Sequence, residues 1–233
     1  EYDTPVNEIQ SYSNDDVVIG VTDNGTFMDL QNKINAAGEG GIVNLENNYN
    51  YDETFSKNGI NITNPITING NGFTISGLNQ SRIFYITALN NVILNNITFI
   101  NGHSDLGGAI LFDGDVSGVV IDNCKFLSND ATVNGGAVYA NGIFVNNAIT
   151  NSVFSSNFAA KNGGAIYFLK SSENLFENIT FSNNKANTAD GGAINFHGQL
   201  LNTTFNNLEF LNNSAANGGG AINTDNNVND NNS

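Results

Sequence analysis

Short alternations of apolar and polar residues run along most of the chain, and Gly, Asn, Ser or Asp interrupt them after a few residues. A two-residue period is typical of β-strands that bury one face, and the interrupting residues are those that favour turns. The same apolar positions return after each set of turns, so that aligned segments form columns of like side chains. The pattern therefore predicts an all-β protein of many short strands.

One tetrapeptide, Gly-Gly-Ala-Ile or Gly-Gly-Ala-Val, recurs at a fixed interval of 28 residues, and its copies begin at Gly107, Gly135, Gly163, Gly191 and Gly219. A constant period of this size is typical of repeat architectures in which each unit contacts only its neighbours. Paired glycines before a strand suit a sharp corner at which a β-carbon would clash. We therefore interpret the tetrapeptide as a structural motif.

Two further columns follow the glycines in the first four units, and they also extend into an earlier unit that lacks the glycine pair. The phenylalanine column is Phe99, Phe126, Phe154, Phe181 and Phe210, and the asparagine column is Asn96, Asn123, Asn151, Asn178 and Asn207. Stacked phenylalanines can fill an interior. Asparagine tolerates left-handed backbone, and its amide can bond to the amide one coil away. A sugar-binding face is the alternative interpretation of the asparagines.

These columns predict a parallel β-helix, or solenoid, over residues 42–224, in which strands of successive coils pair about 4.8 Å apart. Helical repeats are excluded because no unit offers about ten residues with helical spacing. A β-propeller needs roughly 40 residues per blade, and the leucine-rich motif is absent.

Residues 26–41 follow a different period, which predicts a short helix with a turn. The residues on one helical face are Phe27, Leu30, Ile34 and Ala37. Thr26 and Asp29 can form a capping box, and Gly38 ends the pattern. We expect this helix to cover the first open end of the solenoid. We interpret residues 1–25 as a lead-in, with a possible strand at 17–21, and 225–233 as a disordered tail or truncation point.

Acidic residues dominate the charge: 22 Asp and Glu face 7 Lys and Arg, for a formal net charge of -15. Such a chain repels phosphate backbones and anionic membranes, which argues against nucleic acid as a partner. The single Cys124 excludes an internal disulfide. No apolar run approaches the roughly 18 residues of a membrane span, so we expect no membrane insertion by this segment.

Gly-Gly-Ala-Ile with a downstream Asn-x-x-Phe-x-x-Asn resembles the polymorphic outer-membrane-protein repeat and, more closely, the adhesin-like surface proteins of methanogenic archaea. The helix and the Ile-Thr-Ile-Asn-Gly-Asn-Gly-Phe stretch at residues 66–73 are also similar to those proteins. The resemblance covers about residues 26–224 and implies a right-handed β-helix of archaeal origin at the cell surface or secreted. It also implies a noncatalytic adhesin-like role with a glycan or a cell-surface protein as partner.

Two alternatives remain. The first is a structural subunit of a surface layer or fibre that self-associates end to end through the solenoid. The second is a polysaccharide lyase or hydrolase, because β-helices also carry such enzymes. These enzymes need a base beside carboxylates, or two or three carboxylates that converge within about 5 to 10 Å. Arg82 has no basic partner in the columns, so we expect no catalytic residues and no cofactor.

Candidate binding residues lie on outward positions. Tyr139 and Tyr167 stand one coil apart as an outward aromatic step that suits stacking on a sugar, although an ordinary cross-strand ladder is the simpler interpretation. Asp113 and Asp115 lie in a turn, and turn formation accounts for them. Should they bind a metal, calcium fits their hard oxygen ligands best.

The chain also contains Asn-x-Ser/Thr sequences, which accept N-linked glycans in secreted proteins. These possible glycosylation sites are Asn24, Asn61, Asn79, Asn96, Asn178, Asn202, Asn212 and Asn231.

Overall fold

The computed structural model describes residues 24–87 and 90–225. The lead-in up to residue 23 and the tail from residue 226 lie outside the described residues, as does the strand expected at 17–21. Within the described ranges the chain forms one helix, α1 (Phe27–Ala37), and short β-strands.

The strands of the first half of the chain are β1 (Gly25–Thr26), β2 (Gly41–Asn44), β3 (Tyr49–Asn50), β4 (Ile60–Ile62), β5 (Ile66–Asn69), β6 (Thr74–Ser76), β7 (Phe84–Ile86), β8 (Val92–Asn95), β9 (Thr98–Ile100), β10 (His103–Leu106), β11 (Ile110–Phe112), β12 (Val116–Ser117) and β13 (Val120–Asp122). Those of the second half are β14 (Lys125–Leu127), β15 (Asp130–Asn134), β16 (Val138–Val145), β17 (Ala148–Thr150), β18 (Val153–Ser155), β19 (Phe158–Ala159), β20 (Ile166–Ser172), β21 (Leu175–Ser182), β22 (Lys185–Ala186), β23 (Ile194–Phe196), β24 (Leu200–Leu201), β25 (Thr204–Leu211), β26 (Ser214–Ala215) and β27 (Ile222–Thr224).

These strands build three parallel sheets along a rod of about seven turns with coils of about 27 residues. The sheet that contains the strands after the glycine pairs, which we call the glycine sheet, has the order β27-β23-β20-β16-β11-β7-β4. The second sheet, which we call the phenylalanine sheet, contains the strands that precede the asparagine column and the strands that carry the phenylalanine column. In β21 and β25 these two parts form one continuous strand. The third sheet has the order β10-β15-β19-β22-β26. The predicted parallel β-helix is confirmed.

Each regular coil turns at four positions where one residue takes left-handed backbone. In one coil these are Gly118, Asn123, Ser128 and Gly135, with φ of 65°, 52°, 52° and 65°. We call the four columns that they represent the groove corner, the asparagine corner, the serine corner and the glycine corner. All five residues of the predicted asparagine column have φ between 50° and 54°. These residues lie in the turns, and asparagine accepts this conformation more readily than most residues.

The two glycines of each pair are required for different reasons. The first lies at positive φ, as at Gly191 with φ 68°. The second lies where coils approach closely: a β-carbon on Gly192 would stand 2.0 Å from the carbonyl oxygen of Gly220. The glycine motif therefore serves both the corner and the spacing between coils.

The phenylalanine column lies in the interior of the rod. Successive rings from Phe99 to Phe210 stack with centroids 4.8, 4.5, 5.0 and 5.1 Å apart. Burial of one such side chain contributes roughly 1.5 to 3 kcal/mol. A buried asparagine ladder runs beside them, in which Asn129 Nδ2 donates to Asn157 Oδ1 at 3.0 Å and Asn157 Nδ2 to Asn184 Oδ1 at 2.9 Å. These bonds satisfy polar groups that would otherwise be costly to bury.

Helix α1 closes the first end of the rod, as expected. Thr26 and Asp29 form the capping box, and Phe27, Leu30 and Ile34 are buried. The Gln31 side chain pairs with the edge of β4: Asn61 N donates to Gln31 Oε1 at 2.7 Å, and Gln31 Nε2 donates to the Asn61 carbonyl at 3.0 Å. The pairing of strands begins before the helix, because β1 already pairs with β3. The solenoid thus starts earlier than the predicted boundary at residue 42.

Candidate binding surfaces

Tyr139 and Tyr167 stack as predicted, with ring centroids 4.9 Å apart and planes within 3°. Their exposure differs from the expectation, because only 7% and 5% of these residues are accessible. Tyr167 covers one face of Tyr139, and Leu111 occupies the same column one coil below. His197 stacks on the other side of Tyr167 at 5.9 Å.

The prediction of an exposed aromatic step is therefore wrong. Each tyrosine ring packs between the side chains that the adjacent coils place in the same column, and Leu106 and Leu169 pack against this column. Burial raises the pKa of both phenols. A sugar ring cannot lie on faces that neighbouring side chains already occupy, so this column is a stabilising ladder on the outside of the glycine sheet.

Asp113 and Asp115 use their oxygens to tie one coil to its neighbours. Asp113 accepts hydrogen bonds from the Tyr85 hydroxyl and, at 3.0 Å, from Asn141 Nδ2. Asp115 Oδ1 accepts from the backbone amide of Ile143 at 2.7 Å. The Tyr85 hydroxyl, followed by Asn141, holds the pKa of Asp113 below its usual value.

Calcium binding at this turn stays a prediction, and it would have to compete with those bonds. Within residues 24–87 and 90–225, no group of three or more His, Cys, Asp or Glu side chains could hold a metal ion. His103 pairs with Asp130 at 2.7 Å and His197 with Asp225 at 3.1 Å, in different coils.

Arg82, the only arginine, is buried and structural. Arg82 lies in the coil that lacks the glycine pair. The register of β7 and β11 places it opposite Gly108, the second glycine of the pair in the next coil. Its guanidinium donates to the Leu106 and Gly107 carbonyls, to Asn58 and to Ser104, and pairs with Asp105 at 3.1 Å. Desolvation lowers its pKa. The arginine thus closes the irregular coil, and its donors are occupied by that task.

The possible glycosylation sites occupy two environments. Most of those within the described residues are exposed: Asn24, Asn61, Asn79, Asn178, Asn202 and Asn212. Asn96 is half-buried, and Asn231 lies outside the described residues. Asn178 donates to Asn151 at 3.1 Å and accepts from Asn207 at 2.9 Å. A glycan on Asn178 would break this ladder, whereas glycosylation of the other exposed sites stays a prediction.

A groove that the sequence did not predict runs across four coils along the groove corner, the column of Gly118, Asn146, Glu173 and Asn202. It has a volume of about 360 Å³, and its lining residues include Gly118, Val120, Asn146, Ala148, Glu173, Leu175 and Asn202. It lies between the ends of β16 and β20 and the beginnings of β17 and β21. The recurring Asn-Asn and Glu-Asn pairs before these strands were the signal, but the sequence does not distinguish them from ordinary turn residues.

The floor of this groove is held rigidly by two buried asparagines. Asn147 Oδ1 accepts from the backbone of Val119 at 2.8 Å, and Asn174 Oδ1 accepts from the backbone of Asn147 at 2.9 Å. Asn174 Nδ2 donates to the Phe144 carbonyl at 2.8 Å. The groove is consequently part of the folded scaffold.

The fold and its surfaces define a parallel β-helix repeat protein. Three segments, residues 151–169, 178–196 and 202–225, match the Chlamydia polymorphic membrane protein repeat. The resemblance to this type of repeat is thus confirmed for the second half of the rod, whereas nothing in the comparisons points to methanogenic archaea. No curated protein and no solved structure matches the chain. Among the described residues, no helix has the length and apolar character needed to cross a membrane.

Proposed function

We propose that this chain is a noncatalytic β-helix rod of the cell surface that presents a binding surface to glycans or to proteins of a partner cell. The similarity to the Chlamydia polymorphic membrane protein repeat is the observation that carries the proposal. A repeat of that type is compatible with display at a surface and with an adhesin-like role.

The distribution of constant and variable positions supports this function. Residues that repeat from coil to coil, such as the glycines and phenylalanines, are used in contacts between coils. One outward column of the phenylalanine sheet instead changes at every step, through Thr98, Lys125, Val153, Thr180 and Glu209. A constant scaffold with a variable surface can carry a specific binding site without altering the fold.

A binding assay with the full chain tests the proposal. Labelled protein is applied to cells and to an array of glycans and surface proteins, with heat-unfolded protein as the control. We expect saturable binding that requires the folded chain. A parallel screen for polysaccharide degradation, with and without calcium, tests the enzymatic alternative. Reproducible cleavage that Asp113→Asn abolishes would contradict the noncatalytic assignment.

A second candidate function, assembly through the ends of the rod, is favoured by the last coil. Among residues 24–87 and 90–225, β25 pairs with β21 alone, and Phe205 and Leu211 are 40% and 45% exposed. Because α1 covers the other end, we expect association through the exposed end to stop at a dimer. Sedimentation velocity over a wide concentration range tests this: filaments would support the fibre, and a strict monomer would exclude both assemblies.

A further inference from the structure

The rim of the groove described above carries polar side chains that the protein does not use. Asn146, Glu173 and Asn202 are all exposed, and within residues 24–87 and 90–225 no hydrogen bond engages their side chains. The asparagine corner behaves differently, because Asn151, Asn178 and Asn207 bond to one another there. Two columns with the same left-handed backbone therefore differ in whether their polar groups are available to a ligand.

Glu173 is also an unusual residue for its position. Its φ is 56°, and it is the one charged residue among the non-glycine residues with positive φ in the part of the chain that the structure describes. Left-handed backbone is unfavourable for an ordinary L-residue and less so for asparagine, which tolerates it. Strain of this kind is concentrated at binding and catalytic sites. The carboxylate is thus held at the rim of the groove although asparagine or glycine would fit the backbone better.

The groove offers apolar contact beside these polar groups. Val120, Ala148 and Leu175 form a column on one wall, since they are in register in β13, β17 and β21. Sugars present both hydroxyls and apolar C–H faces, so a wall of aliphatic side chains next to unpaired amide and carboxylate groups suits a carbohydrate. The rim groups recur at every coil, about 4.8 Å apart, which suits an extended chain lying parallel to the rod.

Charge narrows the class of glycan. Glu173 lies at the rim, and the chain has a formal net charge of -15, so a polyanionic polysaccharide would be repelled. We propose that this groove binds an extended, uncharged glycan, with the Glu173 carboxylate and the Asn146 amide hydrogen-bonded to sugar hydroxyls. The inference rests on the proposed binding function and specifies its site and ligand class.

The test removes the rim side chains without disturbing the backbone. Glu173→Gly and Asn146→Gly suit the purpose because glycine accepts positive φ without strain. Ser128→Gly and Ser156→Gly are matched controls, since both serines are exposed and have φ of 52° and 58° at the serine corner. The probes are arrays of neutral oligosaccharides and of uronic-acid-containing ones, followed by titration calorimetry with the strongest neutral oligosaccharide.

We expect neutral oligosaccharides to bind, both rim variants to weaken binding at least tenfold, and both controls to leave it unchanged. The melting temperature of Glu173→Gly should stay the same or rise, which separates loss of binding from loss of fold. Neutral binding that the rim variants leave intact would overturn the groove as the site and leave the proposed function standing. Binding only to acidic glycans or only to cell-surface proteins would overturn the ligand class, and binding to neither cells nor array would overturn both proposals.

Discussion

The two ends of the rod differ in how their strand edges and apolar side chains are covered. At the first end, α1 buries Phe27 and Leu30 completely, and Gln31 provides the hydrogen bonds that a neighbouring strand would have made with β4. At the last end, β25, β26 and β27 each pair on one side only within the described residues, and Phe205 is 40% exposed. A coil in a solenoid is stabilised by its neighbours on both sides, so an end without a cover loses part of that stabilisation.

One column shows the difference within a single type of side chain. Phe176 and Phe205 are paired in adjacent strands and stack at 5.3 Å, yet Phe176 is fully buried. The same residue in the same backbone position therefore has a different energetic weight according to whether another coil follows. Substitutions at the two ends test this dependence.

The largest effect is expected from truncation of these two phenylalanines. Phe176→Ala should lower the free energy of unfolding by about 3–5 kcal/mol, because it leaves a cavity between two coils. Phe205→Ala should cost about 1 kcal/mol, because only part of its apolar surface is removed from water. Urea denaturation followed by circular dichroism measures both. Equal losses would show that the last coil is covered in solution.

The glycine pair provides a second matched test. Gly192→Ala places a methyl group 2.0 Å from the Gly220 carbonyl oxygen and should cost roughly 1–3 kcal/mol through displacement of the coil above. The same substitution at Gly220 meets Asn213 O at 3.5 Å and should change stability by less than about 0.5 kcal/mol. Melting temperatures distinguish the two variants, and a large loss at Gly220 would indicate a further layer on the last coil.

At the closed end, Gln31→Ala should lower the free energy of unfolding by about 1–2 kcal/mol, because the amide and carbonyl of Asn61 lose their partners. Met28→Ala is the control on the same helix, since Met28 is 46% exposed. If both variants unfold at the same urea concentration, the pairing of Gln31 with β4 does not contribute to the closure of this end.

The smallest effect concerns pH. The hydrogen bond from the Thr26 backbone, followed by that from its side chain, lowers the pKa of Asp29. The folded state therefore gains stability from the ionised carboxylate above its ordinary pKa near 3.8, and this gain is lost as the pH falls through the lowered value. We expect acid to loosen the start of α1, as measured by NMR shifts of its amides. Asp29→Asn should show no such transition.

Much of the scaffold could be predicted from the sequence because its determinants are local and repeated. One spacing and one physical effect are enough to predict each of these features: the glycine interval, the Phe126 column and the capping box of Thr26. The candidate surfaces were less predictable, because exposure depends on what neighbouring coils place beside a residue. Tyr139 points away from the interior but is covered by its column, whereas the groove at Glu173 exists only because two sheets meet there.

Each coil depends on a neighbour above and below: α1 is that neighbour for the first coils, and the described residues contain none for the last. Hydrogen exchange measured by mass spectrometry on the full chain tests it most directly. We predict that amides in β2, β4 and β5 exchange as slowly as those in β13 and β17, and that those in β25, β26 and β27 exchange much faster. Equal protection at both ends, or rapid exchange beneath α1, would contradict this account.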